Sequence, residues 1–431
     1  MNETLECLTG LTGIFTKPTA ELFLQIAEGW VLCPSRRTLT GIYRFIDPQN
    51  DKNFDVIPYF FRDASWEPTE LWEEWAKYIV SIFAPTDGVL TFTLDDTVFP
   101  KTGSKINGAR TCRDAVRSMR NNFVKCWGLQ FIPICLLVHP PWGGEPISIP
   151  VNIRLNRKAE DGEKPVTLLD HAEAMIKELA EWLPDKKFRL IADGAYAPLA
   201  GCDLPRTEFI SRIRSDAAIY ELPTSRCPGQ RGRPPVKGKR LPSPKDLVNQ
   251  IKDWRRVATI ERGQKRERLI HTRLIIWNHV SKKPMLLVIS RDPDGKQEDD
   301  FFLSTDALVY PEEAIGLYSD RWSVEDTFRN VKQFLGAREP QSWKREAPER
   351  AGSFSFILYG AVWAERISRQ GQPVAALDRP WYAGKTSVSF QDALADLRQR
   401  LWSKRIKAMS ASNTDFALIQ KILINALSWA S

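Results

Sequence analysis

Residues 88–96 read "GVLTFTLDD", and this stretch determines which kind of fold the chain can form. Apolar and polar side chains alternate along it, and several are β-branched, which predicts a strand with one buried face. The same alternation places Leu90, Phe92 and Leu94 on one face of the strand and Asp95 on the other. We therefore expect a β-sheet in which this strand ends at an acid.

The segments that follow predict the rest of a mixed sheet. Two more strands are predicted at 129–139, "LQFIPICLLVH", and 146–156, "PISIPVNIRLN". Residues 167–183 have the apolar spacing of an amphipathic helix, and 186–194, "KKFRLIADG", predict a short strand that ends at Asp193. Because the helix provides a crossover, the first and fourth strands can lie side by side. The fold class is therefore predicted to be α/β, with a mixed sheet flanked by helices.

A third acid lies in residues 318–332, "YSDRWSVEDTFRNVK", which predict a single helix. On such a helix Tyr318, Arg321, Glu325 and Lys332 fall within about 60° of one another, beside an apolar stripe. This arrangement suits an acid at a site where cations and a phenol contact an anion. The alternative is an intrahelical ion-pair network, worth a few tenths of a kcal/mol per pair.

Asp95, Asp193 and Glu325 together predict a metal site. Carboxylates at two strand ends and on a helix form an all-oxygen cluster, which Mg²⁺ prefers. Two such ions, roughly 3.5–4 Å apart, activate a nucleophile and stabilise the leaving oxygen of a phosphodiester. We expect two Mg²⁺ ions, with Mn²⁺ able to substitute. Asp96 adjoins Asp95 and is the alternative first ligand.

Composition excludes several classes of protein. The chain has 431 residues, 43% of them hydrophobic, which is typical of a globular protein with a large core. Its seven cysteines form no C-x-x-C pair and it has only four histidines, so a disulfide framework and structural zinc are not expected. We see no signal peptide and no apolar run long enough to span a bilayer. The predicted location is the cytoplasm, in association with the nucleoid.

The positive charge is concentrated in one segment. The whole chain carries +8, whereas residues 226–268 hold fourteen Lys or Arg and four acids, an excess of ten. This concentration indicates nucleic-acid binding, although a solvated basic loop is the alternative. "RGRPP" at 231–235 resembles an AT-hook core. Trp254 and Trp277 either stack on an unpaired base or pack under the strands of this segment. The residues of this segment predicted to contact DNA are Arg231, Arg233, Lys237, Lys239, Arg240 and Trp254.

The pattern along the chain predicts five regions. Residues 1–85 are helical and include Arg36 and Arg37 beside a helix start, so they are either a DNA-end-binding domain or an ordinary helical subdomain. The remaining regions are a first core part at 86–215, a basic β-rich insertion at 216–305 with a hairpin-like strand pair at 268–280 and 283–292, a helix carrying Glu325 at 306–340, and a helical region at 341–431.

The motifs resemble those of bacterial cut-and-paste insertion-sequence transposases with a DDE triad. The spacing Y-x2-R-x3-E-x6-K at 318–332 is similar to the signature of that group, and "LDDTVFPKTG" and "IADGAYA" resemble its two aspartate motifs. The resemblance covers roughly 88–336 and implies a ribonuclease-H-like fold with a β-rich insertion before the glutamate. It also implies that Asp95, Asp193 and Glu325 are catalytic metal ligands. Tyr318, Arg321, Lys332 and Lys101 are then expected to contact DNA.

The resemblance implies cleavage of transposon-end DNA followed by strand transfer into target DNA. Its partners would be double-stranded DNA, as terminal inverted repeats and target, and a second copy of the chain in the synaptic complex. Two alternatives remain open. One is a domesticated endonuclease without strand transfer, and the other is a DNA-binding regulator with an inactive core.

Overall fold

Helices occupy both ends of the chain and separate some of the strands. The structure, a computed structural model, describes residues 5–46, 53–84, 88–114, 117–118, 122–159, 162, 164–224, 233–371, 385 and 387–411. The first helices are α1 (Glu6–Thr9), a 3-10 helix (Gly10–Ile14), α2 (Lys17–Leu32), α3 (Leu39–Ile46), α4 (Val56–Arg62) and α5 (Pro68–Phe83). Between strands lie α6 (Leu168–Trp182), a 3-10 helix (Gly194–Gly201), α7 (Pro244–Leu247) and a 3-10 helix (Val248–Gln250). The last helices are α8 (Pro311–Asp320), α9 (Ser323–Gln333), α10 (Ala347–Ser368) and α11 (Phe390–Ala411).

In the described residues the strands form one 11-stranded sheet. The strands are β1 (Val89–Leu94), β2 (Thr97–Pro100), β3 (Arg110–Arg113), β4 (Lys125–Val138), β5 (Ile147–Leu155), β6 (Lys187–Ala192), β7 (Thr207–Arg212), β8 (Arg255–Glu261), β9 (Gln264–Ile275), β10 (Met285–Arg291) and β11 (Asp300–Ser304). Their order is β2-β4-β1-β6-β7-β11-β10-β9-β8, and β3 and β5 also pair with β4.

The predicted centre of the sheet is confirmed. β1 runs antiparallel to β4 and parallel to β6, so the first and fourth predicted strands do lie side by side. The connecting helix α6 begins at a capping box, in which Thr167 and Asp170 each accept a hydrogen bond from the backbone amide of the other. The predicted fold class, a mixed α/β sheet flanked by helices, is confirmed and is consistent with a ribonuclease-H-like fold.

The β-rich insertion continues the same sheet. β11 pairs antiparallel with β7, and the predicted hairpin-like pair is confirmed as β9 and β10. Strands β8 and β11 were not predicted from the sequence. β8 reads "RRVATIE" and leaves much of its length exposed, and β11 has only five residues, so neither gives a strong apolar pattern.

The helical ends of the chain pack on the same apolar cluster as the sheet. Phe354 of α10 lies 5.6 Å from Phe23 and 5.5 Å from Trp30, measured between ring centroids. The cluster runs from Leu5 to Leu401 and includes most buried residues of β1, β4 and β6. None of the helices in the described part of the chain is long and apolar enough to cross a bilayer. The division into five regions stays a prediction.

The prediction of one helix over 318–332 is wrong. α8 ends at Asp320 and α9 begins at Ser323, with Arg321 and Trp322 between them. The two helices pack on different partners, since α8 lies against β8 and β11 whereas α9 lies against β5 and α10. Ser323 fixes the break, because its Oγ donates to the Asp320 carbonyl oxygen at 2.7 Å and lies 2.6 Å from the Oγ of Ser148 in β5.

Close packing of α10 on β4 generates a prediction about stability. A Cβ at Gly352 would lie 2.3 Å from Cζ of Phe131, whereas a Cβ at Gly13 would have nothing within 4 Å. We expect Gly352→Ala to lower the free energy of unfolding by about 1–3 kcal/mol through overpacking, despite the gain in helix propensity of about 1 kcal/mol. Urea denaturation of both variants measures this, with Gly13→Ala as the control. A Gly352→Ala midpoint at or above the parent would contradict overpacking at this position.

Candidate active site

The site begins where β1 and β6 end. Leu94 and Ala192 are the last residues paired between these parallel strands, and Asp95 and Asp193 follow them directly. Because adjacent strands lie roughly 5 Å apart, the two aspartates are neighbours at one edge of the sheet. The Asp193 carboxylate also accepts a hydrogen bond from the Ala195 amide at 2.8 Å, which caps the 3-10 helix after β6. Strand register therefore brings two of the three predicted acids together.

Arg321 joins the third acid to the strand end. Its Nη1 donates to Oδ2 of Asp95 at 2.8 Å, and its Nη2 lies 3.7 Å from Oε1 of Glu325. The guanidinium also lies within cation–π distance of two rings, since its Cζ is 5.4 Å from the centroids of both Tyr318 and Trp322. Arg321 is 5% exposed, so this buried cation sits at the helix break and holds β1 and α9 in a fixed relation.

Asp96 has different partners from Asp95. Nε2 of Gln130 donates to its Oδ2 at 2.7 Å, and the hydroxyl of Tyr196 donates to its Oδ1 at 3.2 Å. These two neutral donors hold the Asp96 carboxylate, whereas Asp95 is held by the cation that also contacts Glu325. Tyr196 lies in the "IADGAYA" motif and had no predicted role, because only the strand register shows that this residue meets Asp96.

The carboxyl groups of the site lie in one another's electric field. Burial raises the pKa of Asp95 to about 7, even though the nearby Arg321 opposes the increase. Burial likewise raises the pKa of Asp96 and of Glu325, and the charge of Asp193 adds to the increase in all three groups. Anionic carboxylates at this position are therefore short of positive charge, which a bound cation would provide.

The donors fit a divalent metal in their chemistry. Asp95, Asp193 and Glu325 offer only carboxylate oxygens, the ligands that Mg²⁺ and Mn²⁺ take. Within the described ranges, no three His, Cys, Asp or Glu side chains are grouped closely enough to hold an ion as they stand. Asp95 and Glu325 are directed towards Arg321 instead. Side-chain rearrangement is needed before the three acids face one ion.

Lys332 and Lys101, two of the lysines predicted to contact DNA, are partly buried. Burial lowers the pKa of Lys332 to about 8, helped by the charge of Arg338, while Asp96 opposes the decrease. Burial also lowers the pKa of Lys101 to about 8. Nζ of Lys101 donates to the carbonyl oxygens of Arg338 at 2.8 Å and Pro340 at 3.0 Å, which attaches the end of β2 to the segment after α9.

Tyr318, the first residue of the signature in chain order, is also buried. It is 6% exposed, and its ring centroid lies 4.9 Å from that of Phe302 in β11. Tyr318 and Arg321 thus make intramolecular contacts in this structure, and their contact with DNA phosphates stays a prediction.

Among the described residues of the insertion, none of those predicted to contact DNA makes a contact with the three acids. Lys237 lies with its Nζ 3.9 Å from the Tyr220 ring centroid, and Arg240 forms an isolated β-bridge with Tyr220. Arg233 and Lys239 lie in the same exposed segment, and Arg231 lies outside the described residues. Trp254 is covered by Arg291, whose Cζ lies 4.4 Å from its ring centroid, and Trp277 is 7% exposed. Packing under the strands therefore accounts for Trp277.

Arg262, at the tip of the β8–β9 hairpin, makes contacts that sequence reasoning missed. Its amide donates to Oδ1 of Asp320 at 3.0 Å, and its Nη2 donates to Asp326 at 3.2 Å and to Glu145 at 2.9 Å. Arg262 and Gly263 have φ of 51° and 75°, as a tight hairpin turn requires. In the sequence, only the dipeptide Arg262-Gly263 could have indicated this turn. The hairpin thus contacts both helices that flank Arg321.

Comparison with known proteins agrees with this geometry. A family model described as "DDE superfamily endonuclease" matches residues 10–274, which is more than half of the chain and includes Asp95 and Asp193 but not Glu325. No curated protein matches the chain. With two acids at the ends of adjacent parallel strands and a mixed sheet flanked by helices, the chain belongs to the DDE superfamily endonuclease family.

Proposed function

We propose that this protein is a bacterial cut-and-paste DNA transposase of the insertion-sequence type. The observation that carries the proposal is the junction at Arg321, which links the strand-end Asp95 to Glu325 on α9 with Asp193 alongside. Family membership supports a nuclease acting on DNA. The spacing of Tyr318, Arg321, Glu325 and Lys332 supports the finer assignment.

In this mechanism Asp95, Asp193 and Glu325 hold Mg²⁺ or Mn²⁺. When bound, two such ions neutralise charge on the phosphodiester and activate the attacking oxygen. Arg321 keeps Asp95 and Glu325 in range of each other, and Lys332 donates to a phosphate beside the cut. Water is the first nucleophile and breaks the P–O3′ bond, which leaves a 3′-hydroxyl on one end and a 5′-phosphate on the other. That 3′-hydroxyl then attacks a phosphodiester of target DNA by an in-line displacement, which expels a 3′-hydroxyl of the target strand.

The biological setting follows from this chemistry. The enzyme would act in the cytoplasm on terminal inverted repeats of its own element, as a homodimer that holds two ends together. A domesticated endonuclease would share the same cleavage step and lack strand transfer. The presence of inverted repeats on both sides of the coding sequence would distinguish the two, because only a mobile element needs them.

The first test separates catalysis from binding. Asp193→Asn and Glu325→Gln keep side-chain size but remove charge from the metal ligands, so cleavage should fall by orders of magnitude, each tenfold loss being about 1.4 kcal/mol of transition-state stabilisation. Affinity for DNA without metal should stay level or rise, because a negative group facing phosphates is gone. Lys332→Ala should instead weaken both binding and cleavage. The measurement is a gel shift in EDTA paired with cleavage in Mg²⁺ or Mn²⁺.

Parent-level cleavage by the Asn and Gln variants would disprove the assignment of these acids. If the parent binds DNA and never cuts it with either metal, the protein is a DNA-binding regulator.

The second test distinguishes the adjacent aspartates. Asp95 shares Arg321 with Glu325, whereas Asp96 is held by Gln130 and Tyr196. We expect Asp95→Asn to abolish metal-dependent cleavage and Asp96→Asn to retain measurable activity, since an amide can still accept from neutral donors. The same cleavage assay measures both variants. The opposite ranking would make Asp96 the first metal ligand.

The third test concerns the basic insertion. Residues 226–245 contain seven Lys or Arg. Replacing them by a neutral Gly/Ser segment of equal length should weaken duplex binding and flatten its salt dependence, by roughly 0.9 in the log–log slope for each phosphate that the protein no longer neutralises. Fluorescence anisotropy over a range of NaCl concentrations measures the slope. A slope equal to that of the parent would mean that the segment is only solvated.

A further inference from the structure

Three segments of the chain line an open hollow of about 600 Å³ beyond the end of β2. One is the turn before α3, which contributes Arg36. The second is the loop after β2, at residues 100–106. The third is the segment after α9, at residues 338–343. The hollow is separate from the acids, because none of the three catalytic carboxylates lines it.

Hydrogen bonds between the segments fix the walls. The amide of Arg37 donates to Oε2 of Glu339 at 2.5 Å, which joins the N-terminal helices to the segment after α9. The amide of Asn107 donates to the carbonyl oxygen of Trp343 at 2.9 Å, and the side chain of Asn107 donates to the carbonyl oxygen of Arg345 at 2.7 Å. The hollow is therefore a built feature of the fold, assembled from parts of the chain that are distant in sequence.

The lining carries an excess of positive charge. Arg36, Lys105 and Arg338 are exposed, and no ion pair to any of them occurs in the part of the chain that the structure describes. Lys101 adds a fourth cation. Glu339 is the single acid of the described lining, and its carboxylate already accepts the Arg37 amide. An anion with more than one negative charge is the ligand that such a lining would attract.

An aromatic side chain completes the lining. Trp343 is 47% exposed, and the ammonium of Lys344 lies 4.7 Å from its ring centroid. A large exposed ring beside unpaired cations is the combination that binds single-stranded nucleic acid, because bases stack on the ring while cations contact the phosphates. A free phosphate would contact only the cations, whereas a nucleotide base can also stack on the exposed part of the ring.

The hollow also lies at a suitable distance from the cut. β2 pairs with β4 in the register that β1 would reach if it continued past Asp95, so it leads directly from the acids to Pro100. Five residues of extended chain cover about 17 Å. Each strand of B-form DNA rises 3.4 Å per nucleotide, so this distance corresponds to about five nucleotides when the DNA between the cut and the hollow is paired. Lys332 lies on the path, because its Nζ is 5.9 Å from the ring centroid of Phe99 in β2.

We propose that this hollow binds an unpaired stretch of the DNA strand about five nucleotides from the scissile phosphate, with a base stacked on Trp343 and phosphates contacting Lys105, Arg338 and Arg36. The proposal rests on the proposed DNA substrate and adds to it a single-strand subsite outside the catalytic acids. Contacts in this hollow would then stabilise the separation of the two DNA strands near the cut.

The test uses the full chain in EDTA, so that binding is read independently of cleavage. The probes are a fluorescein-labelled (dT)20 oligonucleotide and a 20-base-pair duplex, followed by anisotropy. Trp343→Ala should weaken (dT)20 binding at least about 5-fold, as loss of one stacked base requires, with less than a 2-fold effect on the duplex. Trp343→Phe should retain most of the affinity. Lys105→Gln should lower the (dT)20 salt slope by about 0.7.

Lys187→Gln is the matched control. Lys187 is an exposed lysine at the opposite end of β6 from Asp193, without an ion pair in the described residues, and its slope should equal that of the parent. The proposal is overturned if Trp343→Ala binds (dT)20 like the parent, or if Lys105→Gln and Lys187→Gln are indistinguishable. Equal losses on duplex and (dT)20 would also overturn it, in favour of a duplex-backbone contact. A parent that binds DNA without cutting it refutes only the catalytic assignment.

Discussion

The ion pair between Arg321 and Asp95 joins the end of β1 to the break between α8 and α9. Asp95 follows the last paired residue of β1, and Arg321 lies between α8 and α9, so one contact of 2.8 Å joins the sheet to both helices. A buried cation of this kind is costly without partners. Here it has a carboxylate on one nitrogen, a second carboxylate 3.7 Å from another, and two aromatic ring centroids 5.4 Å from its Cζ.

The helix break is the geometric condition for that contact. α8 belongs to the apolar cluster of Phe302 and Ile191, whereas Val324 of α9 belongs to the larger cluster around β4 and α10. One straight helix could not pack against both clusters, because the sheet twists between them. A buried series of hydroxyl groups holds the break in place, from Thr93 in β1 through Ser148 in β5 to Ser323. Thr93, which lies in β1 two residues before Asp95, is thus connected to the start of the helix that carries Glu325.

Contacts also tie the regions that flank the sheet to the segments around the candidate active site. Glu339 accepts the amide of Arg37, Lys101 holds the segment after α9, and the β8–β9 hairpin contacts Asp320 and Asp326 through Arg262. The N-terminal helices and the loop after β2 therefore contact the segment that follows the helix of Glu325, and the hairpin of the insertion contacts α8 and α9 themselves.

The sequence by itself determined the centre of the sheet and its acids. Alternation in "GVLTFTLDD" and a run of apolar residues before Asp193 predict the two parallel strands, because side-chain period is a local property of the backbone. The positions of Asp95 and Asp193 side by side follow from that pairing. A helix that carries Glu325 was predicted correctly, but its predicted extent was wrong. No residue in the local sequence indicates the break at Arg321 and Trp322.

Tertiary structure alone decided the partners. That Asp95 meets Arg321 while Asp96 meets Gln130 and Tyr196 depends on strand register across β1, β4 and β6, and a slip of one residue would exchange them. The hollow beside Trp343 could not be inferred from sequence either, because Arg36, Lys105 and Arg338 are far apart in the chain. Local pattern fixes which face a side chain occupies, whereas the meeting of distant segments depends on how all the elements pack together.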